Sequence, residues 1–326
     1  MVVKAKWCSA KRIITAIAFG VVLAPLVLSS QGASLGPGDP FTVAVNTSTI
    51  EGGPIYVAAE GPGASFRLIN GGVRNLANGG AHAATNAETQ MLLASTTNPK
   101  IRMLLTVAEG LYRVVAKRSA GINTVADLRG KKITTPPNTS AHYYLVRTLA
   151  SAGLQESDVT LVGGPTNQMA AAVVKGDADA IVMWEPEAQN AFEALGKDAV
   201  VFQNNALYRE LFSLYTTTDV LNDPRRRSEL VAFVRAVIVA TSNVKARPRE
   251  YFPLIARTIK QAEENIAKSW EHHAFPAALP SDMLDVMTEE DQWIAKGQQR
   301  APRTREQLAV FIETSVLRDA GRPAGR

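Results

Sequence analysis

Residues 121–159, GINTVADLRGKKITTPPNTSAHYYLVRTLASAGLQESDV, and residues 175–191, KGDADAIVMWEPEAQNA, decide the fold class. Lys132 to Thr135 is a short strand-like run cut off by Pro136-Pro137, and Asn138, Thr139 and Ser140 are residue types that cap helix starts. Tyr144, Leu145, Thr148, Leu149 and Ala152 then recur at helical spacing until Gly153 stops the run. Val159 to Val162 reads as the next strand. Thr166 or Asn167 opens a helix with Ala170, Val173 and Val174, closed by Gly176. Ala178 to Trp184 is an apolar strand, and Pro186 starts a helix that carries Ala188, Ala191, Phe192 and Leu195 on one face. Strands alternating with helices of this length predict an α/β protein whose sheets are largely parallel and covered on both faces.

The flanking sequence continues the pattern. Phe41 to Val45 is a strand ending in the polar loop Asn46-Thr47-Ser48-Thr49, followed by a helix near Ile55 to Glu60 and a strand near Phe66 to Ile69. Gly79-Gly80 precedes the strand Ala81 to Thr85, which leads through Asn86 into a helix with Thr89, Met91, Leu92 and Leu93. Ile101 to Val107, Tyr112 to Ala116 and Leu211 to Thr218 are further strands, and Asp223-Pro224 opens a long helix containing Leu230, Phe233, Val234 and Val237. Lys117 to Gly121 is strong punctuation. The expected organisation is two doubly wound lobes: residues 34–118 with 211–326 form one, residues 119–210 are inserted as the other, and hinge crossings lie near Lys117 and Phe212.

Residues 1–33 contain no acidic group, carry Lys4, Lys6, Lys11 and Arg12, and run apolar from Ile13 to Leu28 before Ser29, Ser30, Gly32 and Ala33. This is the layout of a cleavable secretory signal peptide, too short and too Pro-interrupted for a membrane span. Cys8, the one cysteine, precedes the apolar run, so it is not the lipid-bearing cysteine of a lipoprotein and the processed chain has no thiol. Processing also removes four of the 35 basic residues, leaving 31 against 30 acidic ones. The remaining charge is scattered, with Arg225-Arg226-Arg227 read as a solvated turn. A clustered basic face for nucleic acid is lacking. About 293 residues remain, enough for two lobes rather than one core.

Ligands of doubly wound sheets lie beyond the carboxyl ends of strands. Thr47, Ser48, Asn86, Glu88, Thr139, Ser140, Trp184 and Glu185 fall at such ends and are the candidate ligand-binding residues. Free amides at the Thr139-Ser140 helix start suit an oxyanion, although capping alone accounts for the same residues. Trp184 is either a cleft wall or a core residue, and Glu185 either meets a polar solute group or complements its own helix. His82, His142 and His272-His273 show no metal-ligand spacing, and no nucleophile elbow or phosphate loop occurs. No catalytic residue, metal or cofactor is expected.

The ordered set Gly121-Ile122, Asp127-Leu128-x-Gly130-Lys131-Lys132, Pro137-x-Thr139-Ser140-x-His142 with Leu145, Gly176-Asp177-Ala178-Asp179-Ala180 and Trp184-Glu185-Pro186 resembles type II periplasmic binding proteins. The resemblance is to the nitrate, sulfonate and taurine branch, which includes binders of thiamine pyrimidine precursors. In the first lobe, Gly79-Gly80-Ala81-His82 places a histidine where that branch commonly has the acid of Gly-x-x-Asp. The resemblance implies a monomeric periplasmic protein, not an enzyme. It would close about its hinge on a small organic anion such as a sulfonate, nitrate, or an aromatic or aliphatic acid, and deliver it to an ABC permease in the inner membrane. An enzyme of the pyrimidine-precursor-synthase type and a solute-sensing module are the alternatives.

Overall fold

Strands β1 (Thr42–Val45), β2 (Arg67–Asn70), β3 (Ala83–Asn86), β4 (Ile101–Gly110), β10 (Glu210–Thr217) and β11 (His273–Ala274) form one sheet. A second sheet contains β5 (Arg113–Lys117), β6 (Lys132–Thr134), β7 (Thr160–Val162), β8 (Ala180–Met183) and β9 (Ala199–Phe202). The first has the order β11-β4-β10-β3-β1-β2 and the second β7-β6-β8-β5-β9. The structure, a computed structural model, describes residues 34–61 and 64–322. The expected signal peptide and Cys8 lie outside the described residues.

Both sheets are covered on both faces, so β1 and β8 carry buried side chains on both sides. In β1, Val43 and Val45 pack under the helices Gly53–Ala59, Pro224–Ala246 and Pro248–Ile259, while Ala44 points to the opposite core with Met91 and Met287. In β8, Ala180 and Val182 face the helix Ser140–Ser151, and Ile181 and Met183 face the helices Met169–Lys175 and Glu187–Leu195. The expected α/β architecture of two sheets is what the chain adopts. Among the described residues, no helix is long and apolar enough to cross a membrane.

The chain passes between the sheets twice, at Leu111–Tyr112 and at 203–209. These crossings differ from the expected ones near Lys117 and Phe212. Arg113–Lys117, placed by its sequence boundary in the first lobe, pairs antiparallel with both β8 and β9 of the second sheet. Phe212 lies inside β10, paired with Ala108 of β4. An apolar run announces a strand but not its partner, which explains both shifts.

Arg225-Arg226-Arg227 is not a solvated turn. It forms the first turn of Pro224–Ala246, where the Asp223 carboxylate accepts from the backbone amides of Arg225 and Arg226. Arg226 is buried and donates to the carbonyls of Gly36, Pro37 and Asp39, fastening the segment that enters β1.

Candidate functional site

In the first sheet β1, β2 and β3 run parallel and β10 runs against them; in the second, β6 and β8 are parallel and β5 opposes them. The carboxyl ends of the parallel strands therefore share an edge with the amino ends of β10 and β5. At that edge lies a cavity of about 180 Å³. Asn46 follows β1, Thr49 and Glu51 come from the next loop and turn, and Asn86 ends β3. Glu210 and Phe212 open β10, and Tyr112 stands in the first crossing. From the second sheet come Thr139 and Ser140 at their helix start and Trp184 after β8.

Two bonds join the sheets beside this cavity. The hydroxyls of Thr89 and Ser140 are 2.9 Å apart, and Gln90 Nε2 donates to the Asn138 carbonyl at 2.8 Å. The Thr49–Glu51 loop is held from below by the buried Tyr56 hydroxyl, which donates to the carbonyls of Asn46 at 2.7 Å and Thr49 at 3.1 Å. Gly52 makes this possible, since a Cβ there would sit 2.4 Å from the Tyr56 hydroxyl.

Of the candidates from sequence, Asn86, Thr139, Ser140 and Trp184 line the cavity. Thr47 and Ser48 do not; both are held in an exposed loop by the side-chain oxygens of Asn70 and Asn46. Glu88 lies beneath, fully buried, accepting from the Tyr208 hydroxyl at 2.6 Å and the Leu211 amide at 2.9 Å. Glu185 is turned into an ion pair with Arg113 at 2.8 Å and accepts from the Gln189 amide at 2.9 Å. Asn86 itself caps the neighbouring loop by accepting from the Val73 amide at 2.9 Å.

Sequence reasoning missed Asn46, Thr49, Glu51, Gln90, Tyr112, Glu210 and Phe212. The carboxyl-end rule finds residues on parallel strands, and Tyr112, Glu210 and Phe212 belong to the starts of antiparallel ones. Asn46, Thr49 and Glu51 were within reach of the same reading that selected Thr47 and Ser48. A polar loop does not reveal which of its side chains turn inward.

The cavity is acidic. Glu51 and Glu210 line it, and no Lys, Arg or His is among its described lining residues. Glu210 Oε2 accepts from the Tyr112 hydroxyl at 2.8 Å, and burial together with the charges of Glu51 and Glu88 pushes the Glu210 carboxyl well above its usual range. Burial raises Glu88 to about 7, against the stabilising bonds from Tyr208 and Leu211. Glu290, packed beside it, is pushed up by burial and by the Glu88 charge. His273 Nε2 stands 3.6 Å from Glu51 Oε1, while its Nδ1 lies 3.0 Å from the Ser269 carbonyl. Burial works against the His273 imidazolium, but Glu51, Glu185 and the Ser269 carbonyl together outweigh it and the net shift is upward. The oxyanion expected at Thr139-Ser140 thus faces two carboxylates across the cavity.

His272 borders the same wall, sharing a small pocket with Glu51, Tyr112 and Trp184, whereas His82 and His142 lie elsewhere. His82 sits at the amino end of β3, away from the cavity edge, where its Nδ1 accepts from the Thr42 amide at 3.0 Å and its ring stacks on Phe41. His142 packs edge-on against Trp293, with Nε2 3.1 Å from Glu156. Among the described residues, no group of three or more His, Cys, Asp or Glu is placed to hold a metal.

A family model described as NMT1/THI5 like matches residues 70–251, more than half of the 326-residue chain. The chain belongs to the NMT1/THI5-like family. The match spans the motifs between Gly121 and Pro186 that carried the resemblance, so this NMT1/THI5-like chain was recognisable from them. A protein of Escherichia coli (strain K12) named for binding aliphatic sulfonates is 33% identical over 172 residues, 53% of this chain and 49% of that relative. This chain thus spans about half the length of the relative it matches. The crystal structure of the periplasmic aliphatic sulphonate binding protein of Escherichia coli superposes with a TM-score of 0.66 at 16% identity, covering 82% of this chain and 92% of that one. A desulfurization enzyme superposes at 0.59 with 15% identity, covering 86% and 98%. At such identities the likeness speaks for the fold alone, the periplasmic-binding-protein fold, which serves a sulphonate-binding protein and an enzyme alike.

Proposed function

We propose that this protein is the exported solute-binding component of an ABC importer, working in the periplasm and handing a small organic solute to a permease in the inner membrane. The observation that carries this reading is the cavity at the meeting edge of the two sheets, with walls from both. Thr49, Glu51, Asn86 and Glu210 stand on one side, and Thr139, Ser140 and Trp184 on the other. Contacts made by both sides exist only when the lobes are together, so a bound solute shifts the population toward closure about the crossings at Leu111–Tyr112 and 203–209.

Relatives named for binding sulfonates favour capture over catalysis, and the four candidates Asn86, Thr139, Ser140 and Trp184 are proposed to touch the solute. The test is a thermal-shift screen of the chain from Ser34 onward against sulfonates, nitrate, carboxylic acids, amines and pyrimidines, with calorimetry on each hit. Ligand that binds the native state raises the melting temperature by linkage. A saturable hit recovered unaltered supports capture; a hit recovered as a new compound moves the reading to an enzyme on this fold.

A further inference from the structure

The solute's charge can be argued from the cavity wall. Glu51 Oε2 and Thr49 Oγ1 are buried, line the cavity and have no hydrogen-bond partner, although their residues are only 2% and 4% exposed. A buried polar atom without a partner costs free energy that a ligand can recover. Glu210 adds a second carboxylate to the same wall. The nearest cations are already engaged: Arg113 with Glu185 and Gln189, Arg209 with Glu109 and Asp282, and His273 with the Oε1 side of Glu51. A sulfonate or carboxylate against this wall would require its carboxyls to keep their protons in a desolvated site and would find no Lys, Arg or His among the described lining residues, which is unfavourable. An ammonium or amidinium group would instead donate to Glu51 Oε2, to Thr49 Oγ1 and to Glu210. The faces of Trp184, Tyr112 and Phe212 suit the apolar body and the positive head of such a molecule.

Resting on the solute-capture reading above, we infer that the solute carries a positively charged nitrogen group, held by Glu51 and Glu210 with Thr49 as a further acceptor. The sign of the pH dependence follows. Glu210, Glu88 and Glu290 are all raised by burial, and Tyr112, Tyr208 and His273 face the same cluster. Without ligand the cluster retains protons near neutrality. A cation expels them, so its affinity rises with pH through neutrality; an anion accepting from the protonated carboxyls would show the reverse.

The test uses matched pairs of one shape and opposite charge: benzamidinium against benzenesulfonate, and butylammonium against butanesulfonate, titrated calorimetrically between pH 6 and 8. The expected result is binding by the cations, tightening as pH rises, with the sulfonates at least about tenfold weaker. Glu210→Gln keeps the acceptor for Tyr112 but removes the charge. It should weaken benzamidinium by about ten- to a hundredfold while raising the melting temperature of the ligand-free protein at pH 8, because the folded chain no longer has to keep a proton on a buried carboxyl that the unfolded chain has released. Should Glu210→Gln fail to fold, Thr49→Val reads the same wall. Sulfonates that bind as well as or better than their cationic partners overturn the inference and leave solute capture standing. Binding by neither series also overturns the inference, and solute capture then stands or falls with the wider screen above.

Discussion

Arg113 and Glu185 close an ion pair 2.8 Å long across the antiparallel β5–β8 edge, with side chains only 5% and 6% exposed. Arg113 also reaches Gln189 Oε1 at 2.6 Å, and Ser269 donates to Glu185 Oε2 at 3.4 Å. Glu185 thereby anchors the Trp184 turn instead of facing the cavity. Glu185→Ala leaves a buried guanidinium without its counter-ion and should cost about 3–5 kcal/mol in urea unfolding. If the variant instead unfolds at the wild-type midpoint and loses only solute affinity, Glu185 is a solute contact after all.

Trp184 lines the cavity and also packs partly buried against both cores of the second sheet. Trp184→Ala should retain the fold and weaken the solute found by screening by about tenfold or more, with Trp184→Phe intermediate. Unchanged calorimetric affinity in the folded Ala variant removes Trp184 from the site.

His82 is held neutral, its pKa lowered to about 4 from 6.5 by burial and by the Arg226 charge. The unfolded chain binds a proton below 6.5 that the folded chain excludes, so stability falls as pH drops from 6.5 toward 4. His272, lowered to about 4 by burial and Arg113, adds to the same slope, and His273, shifted the other way, opposes it. His82→Asn offers Thr42 a side-chain oxygen acceptor that does not titrate. Melting temperatures from pH 7 to 4 should therefore fall less steeply in the variant, and an unchanged slope would remove His82 as a source of acid sensitivity.

A methyl group at Gly52 meets the Tyr56 hydroxyl at 2.4 Å and its ring carbon at 2.5 Å. Gly52→Ala should displace Tyr56 or the Thr49–Glu51 turn, costing about 1–3 kcal/mol of stability and weakening the solute. Both readings move together because one contact supports the core and positions the cavity wall. A variant with wild-type stability and affinity would show that the loop accommodates the methyl group.

The covered-sheet architecture was legible in the sequence because strands buried on both faces must be apolar and their helices carry caps and stops. β8 and its Trp184-Glu185-Pro186 exit, the Thr139 cap and the Gly176 stop all stand where local chemistry put them. The second crossing and the boundary at Lys117 were not legible, since Arg113–Lys117 reads as an apolar strand whichever sheet it joins. Half of the candidate site was lost for a related reason: Thr47, Ser48, Glu88 and Glu185 stand at the expected strand ends but are turned to Asn70, Asn46, Tyr208 and Arg113.

The amino-acid sequence by itself determined the α/β class, the helix and strand boundaries near Thr139, Gly176 and Pro186, and the family, all of which depend on residues close together in the chain. Only the tertiary structure decided the character of the cavity. Glu51 and Glu210 are 159 positions apart, on a loop after a parallel strand and at the start of an antiparallel one. Their meeting depends on strand direction and on which cations are already paired, and both are properties of long-range packing that no local pattern encodes.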